Sequence, residues 1–97
     1  MKAKRNNYGI NPRTGEPFKA QWEVLHYYLT EKPGRTITQL EATVDFGFTD
    51  LAGVILRMYE HTGIRAARRW IVVPTRYNGA VQVKQYWIEQ GGEEIAE

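Results

Sequence analysis

A chain of 97 residues with 42% hydrophobic and 25% charged side chains has the makings of one ordinary globular domain, with a small core and little room for a second. It contains no cysteine, which excludes disulfide frameworks, thiolate zinc sites and thiol catalysis. No apolar run is long enough to cross a bilayer and no signal-peptide core follows Met1, so the expected location is cytoplasmic, with no membrane partner.

The first segment, residues 1–15, lacks periodicity and is rich in Asn, Gly and Pro. It reads as an extended basic arm, with Tyr8 and Ile10 able to pin part of it to the domain. The domain itself is expected over residues 16–90. Pro17 sits where a first helical residue belongs. Phe18, Trp22, Leu25 and Leu29 then recur at helical spacing, and Val24 and Tyr28 widen the stripe. Pro33 with Gly34 ends this helix near Thr30.

Thr38 followed by Glu41 is a capping box, with Ile37 placed to staple onto the helix it starts. Leu40 and Val44 share a face of that second helix, and Gly47 interrupts it. Thr49 and Asp50 open a third helix, whose stripe is Leu51, Val54, Ile55 and Met58 with Tyr59 beside it. Its outward residues are Thr49, Asp50, Gly53, Arg57 and Glu60. Gly63 closes it in a left-handed cap, with Ile64 folding back.

From Trp70 the period changes to two. Asn78 with Gly79 is a strong hairpin signal, and a two-residue turn there pairs Tyr77 with Ala80, Ile71 with Tyr86, and Trp70 with Trp87. Pro74 removes a ladder donor and implies an edge position or a bulge. Residues 91–97 read as an acidic tail. The expected fold class is mainly α with a C-terminal β-hairpin (α+β), three helices and a wing, the winged helix-turn-helix arrangement.

Charge is segregated along the chain. Residues 1–15 carry Lys2, Lys4, Arg5 and Arg13 with no acid, and residues 61–88 carry Arg65, Arg68, Arg69, Arg76 and Lys84 with no acid. Glu89, Glu93, Glu94 and Glu97 make the end acidic. Such blocks point to a basic footprint beside solvated acidic surface.

Catalysis finds little support. There is no serine, the only histidines are His26 and His61, and neither has a partner at metal-ligand spacing. No glycine-rich phosphate loop occurs. We therefore expect a binding protein rather than an enzyme, with no cofactor and no metal.

The run TITQLEATVDFGFTDLAGVILRMYEHTGI, followed by a hairpin ending in YWI, resembles the small helix-turn-helix domain of many bacteriophage and prophage proteins. The matching residues are Ile37, Thr38, Gln39, Leu40, Glu41 and Ala42, then Phe46 and Gly47, Leu51 and Ala52, Ile55 and Gly63, and finally Tyr86, Trp87 and Ile88. The likeness covers about residues 24–88. It implies a phage-encoded winged helix-turn-helix acting on double-stranded DNA in a bacterial host's cytoplasm. Members of that family often carry arginines where this chain has Asp50 and Val54.

The expected function is DNA binding in transcription regulation, replication or recombination. Candidate DNA contacts are Lys4, Arg5, Thr49, Arg57, Arg65, Arg68, Arg69, Arg76 and Lys84. The alternative is a phage factor that binds a host protein, such as a polymerase or a defence nuclease, with Trp70 and Trp87 as its interface. Monomer and homodimer both remain open.

Overall fold

The computed structural model describes residues 8–89. In chain order it contains α1 (Gln21–Glu31), β1 (Thr36–Thr38), α2 (Gln39–Phe46), α3 (Leu51–Thr62), β2 (Ala67–Pro74), a tight turn (Arg76–Asn78) and β3 (Ala80–Trp87). This is an α+β fold: three helices and a three-stranded antiparallel sheet with strand order β1-β3-β2.

One hydrophobic cluster holds it together. Leu25 and Leu29 of α1, Ile37 of β1, Ala42 of α2, Phe48 of the following turn and Leu51, Val54 and Met58 of α3 are all buried, together with Ile88 just after β3. The apolar spacing seen in the sequence thus selects the inward faces of α1 and α3.

The α2–α3 corner is built from local chemistry. The Thr38 hydroxyl accepts from Glu41 N while Glu41 Oε1 accepts from Thr38 N, a reciprocal cap. Gly47 ends α2 at φ 74°, a conformation that a Cβ would strain. Gln39 then spans the corner: its Nε2 donates to the Phe48 carbonyl at 2.9 Å and its Oε1 accepts from Leu51 N at 2.8 Å. Gln39 therefore satisfies the first free amide of α3 and shares the carbonyl before it with the Thr43 hydroxyl, which also donates to it at 2.9 Å.

Three expectations are corrected. The first helix begins at Gln21, not at Pro17. Ile10 bridges Pro17 and Phe18 N donates to the Gly9 carbonyl at 2.9 Å, so residues 17 and 18 are held extended against residues 9 and 10. Residues 11–16 between them form a tight turn closed by Asn11 N to the Glu16 carbonyl. Tyr8 packs against the core cluster. The folded unit accordingly starts before residue 16, and the extended-arm reading does not hold for residues 8–15. Lys4, Arg5 and the tail at 91–97 lie outside the described residues.

The second correction is an additional strand. Thr36–Thr38 pairs with β3, placing Ile37 opposite Tyr86. Three residues are too short for an alternation to be visible in the sequence.

The third is the hairpin register. Trp70 pairs with Lys84, Ile71 with Val83, Val73 with Val81 and Pro74 with Ala80. The loop therefore runs over residues 75–79, closed by Thr75 N to the Gly79 carbonyl at 2.9 Å. Trp70 and Trp87 are not paired; Trp87 faces Ala67 and lies on the opposite side of the sheet. The observed register sets Ile71, Val73, Val81 and Val83 together on one face. A turn at Asn78 and Gly79 would have put Lys84 opposite Val73 and Arg76 opposite Val81, so cross-strand aliphatic packing outweighs the local turn preference.

Candidate functional site

The third helix, the loop after it and the sheet enclose a cleft of about 290 Å³, lined by Ala52, Ile55, Leu56, Tyr59, Arg65, Ala66, Arg68, Lys84 and Tyr86. Among the described residues, three cations and no carboxylate line it. Each arrives there for a reason visible in the backbone. Gly63 turns the chain at φ 76°, its N–H donating to the Tyr59 carbonyl, and brings residue 65 back beside the last turn of α3. Arg68 and Lys84 lie on the sheet face that carries Tyr86 and Ile37, since Arg68 pairs with Tyr86 and Tyr86 with Ile37.

Two of the three cations, Arg65 and Lys84, rest on aromatic rings. The Arg65 guanidinium lies 4.6 Å from the Tyr59 ring centroid, and Lys84 Nζ lies 5.2 Å from that of Trp70, its cross-strand neighbour. Among the described residues the one ion pair is Arg35 to Glu31, at 2.9 Å, on the far end of α1. The positive charge of the cleft is therefore available to an anionic ligand, and Leu56, 55% exposed, forms an apolar floor beside it.

The remaining sequence candidates are dispersed. Arg69 points to the other face, where its Nε donates to Gln85 Oε1 at 2.9 Å and its guanidinium lies 5.6 Å from the Trp87 ring. Adjacent residues of a strand face opposite ways, so Arg68 and Arg69 cannot share a site on one face. Arg76 is exposed at the hairpin tip. Arg57 donates to the Gly53 carbonyl and lines a shallow depression with Lys19 and Trp22. Thr49 is exposed just before α3.

Asp50 caps α3: its side chain accepts from Gly53 N at 3.1 Å. A Cβ on Gly53 would come within 2.5 Å of Asp50 Oδ2, so the glycine makes room for the cap. Ala52 and Leu56, exposed with Tyr59 on α3, are site residues that the sequence reading does not single out. Their four- and three-residue spacing forms a second apolar stripe, masked by the stronger one next to it.

A second cleft, of about 430 Å³, lies between the aliphatic face of the hairpin and the starts of α2 and α3. Ile71, Val73 and Val83 form one wall; Leu40, 71% exposed, and Ala52 the other; Glu41, Asp50 and Lys84 also line it.

The histidines take no part in either cleft. His61 stacks on Trp22 with ring centroids 4.8 Å apart. His26 lines a polar depression with Arg13, Glu16 and Glu23; burial, and then the Arg13 charge, hold its imidazole below the usual pKa. Among the described residues no three acid or histidine side chains converge as a metal site, and no helix is long and apolar enough to cross a membrane.

Comparison with protein-family models, with curated proteins and with solved structures finds no match to this chain.

Proposed function

We propose that the protein is a winged helix-turn-helix DNA-binding protein of the bacteriophage type, acting in transcription regulation or in replication and recombination. The order of elements supports the winged reading: a capped α2, a glycine corner, α3 and then a hairpin whose return strand is central in the sheet. The observation that carries the DNA reading is the cleft beside α3, which gathers Arg65, Arg68 and Lys84 with no carboxylate among the described residues. Phosphates are held there, and α3 lies along the groove.

Base reading by α3 is sparse. Its exposed side chains include Ala52, Leu56, Arg57 and Tyr59. They offer apolar contact to thymine methyls and one guanidinium for a guanine edge. Binding is therefore sequence-tolerant, and its strength is electrostatic. The test is titration of a labelled duplex at rising salt. Affinity falls by a factor of about ten or more between about 50 and 200 mM salt if several phosphates are neutralised. Failure to bind duplex DNA at low salt overturns the proposal.

A second reading is favoured by the other cleft, whose aliphatic walls, with Glu41 and Asp50 against the single cation Lys84 among the described residues, suit an apolar segment of a host protein that carries a basic residue. Recovery of one stoichiometric partner from nuclease-treated bacterial lysate, abolished by Leu40→Glu, supports it; recovery of none counts against it.

A further inference from the structure

The hairpin tip carries an aromatic residue that neither the core nor the cationic cleft uses. Tyr77 is 89% exposed, and among the described residues no ring or cation stacks on it. Its backbone lies at φ 67°, ψ 30°, the left-handed region disfavoured for any side chain with a Cβ. Asn78, at φ 66°, tolerates that region well, whereas Gly79, the residue best suited to it, sits at φ −89°. A Cβ at position 79 would come within 2.6 Å of Thr75 Oγ1, so a side chain there would displace that hydroxyl.

The loop therefore keeps an unfavourable residue in an unfavourable conformation, outside the packed core. The left-handed backbone at residues 77 and 78 closes the turn, a task that Asn or Gly would do with less strain, while the exposed ring adds nothing to the core and is open to a ligand. Arg76 beside it is exposed and supplies a charge for phosphate.

We propose that Tyr77 is a base-stacking residue and that the preferred ligand is duplex DNA bearing an unpaired base, as at a junction with a single strand. The inference rests on the DNA-binding reading above and names the substrate class for it. An aromatic ring stacks on any base through its flat face, without sequence preference. In an intact duplex the ring must first pull a base step apart, whereas at a junction a base is already out of the stack. With phosphates held at the cleft by α3, the hairpin tip carries Tyr77 onward to that base.

The experiment compares a blunt duplex with the same duplex carrying a forked single-stranded end, by fluorescence anisotropy. The full chain binds the fork about fivefold tighter or more, the fold-change that corresponds to the low end of one base–aromatic stack. Tyr77→Asn, which suits the left-handed backbone, keeps or raises the melting temperature and keeps the blunt-duplex affinity but loses the preference. Tyr77→Phe retains it. Equal binding of the two ligands by the wild-type chain overturns the inference, as does a preference that survives in Tyr77→Asn. Absence of binding to both ligands removes the DNA reading itself, a different outcome from either.

Discussion

Arg65 rests on Tyr59: its guanidinium lies 4.6 Å from the ring centroid and its Nη2 donates to the phenolic oxygen at 3.3 Å. This pairing ties the loop after α3 back to the last turn of that helix. It also orients a long cationic side chain that would otherwise sample many rotamers, which lowers the entropy cost of binding an anion. Arg65→Gln is therefore expected to weaken duplex binding several-fold at low salt and to reduce the slope of log affinity against log salt by about 0.9. Tyr59→Leu leaves the charge but frees it, and is expected to weaken binding less with the salt slope unchanged. Both follow from anisotropy titrations at several salt concentrations.

Gln39 is the keystone of the α2–α3 corner, bonded to the Phe48 carbonyl and to Leu51 N. Gln39→Ala leaves Leu51 N without that partner, while the Phe48 carbonyl keeps the Thr43 hydroxyl at 2.9 Å. A loss of about 0.5–1.5 kcal/mol in unfolding free energy is expected, read from urea denaturation. An unchanged midpoint would show that water replaces the side chain.

Asp50 separates stability from binding. As the cap of α3 it accepts from Gly53 N, and Asp50→Ala is expected to cost about 0.5–2 kcal/mol. Asp50→Asn keeps an equally good cap and removes a negative charge at the start of α3. The expected result is near-wild-type stability with tighter DNA binding. Calorimetry checks the first part and anisotropy the second.

Much of the fold is legible in the sequence, and the exceptions have physical causes. The capping box at Thr38 and Glu41, the left-handed Gly47 and Gly63, and the inward face Leu51, Val54 and Met58 are all local chemistry, readable without a fold. The hairpin is visible but its register is not. The local signal at Asn78 and Gly79 competes with four aliphatic residues on two strands, and only pairing the strands shows which arrangement gathers them. The cationic cleft is half legible. The basic block is plain, but which of Arg68 and Arg69 shares a face with Lys84 depends on that same register. Residues 17 and 18 look helical in the sequence because the partner that holds them extended, residues 9 and 10, carries no strand-like alternation.

His26 gives the fold a pH dependence. Burial, then Arg13, lowers its pKa in the folded state below the usual value near 6.5. The unfolded chain therefore binds the proton more readily, and stability falls as pH drops below about 6.5 towards the lowered value. Above that window the histidine is neutral in both states and contributes no slope. His26→Gln is expected to flatten the dependence in that window, measured as the urea midpoint at a series of pH values.

The most direct test of DNA binding at the cationic cleft is the salt dependence of duplex affinity for the wild-type chain and for a variant combining Arg65→Gln, Arg68→Gln and Lys84→Gln. With the fold verified by circular dichroism, the wild type is expected to show a steep slope of log affinity against log salt. The variant's slope is expected to be shallower by about 2 to 3, since each cation removed leaves about one more phosphate to its counterions. A variant that binds with the wild-type slope would contradict the assignment of phosphate binding to this cleft.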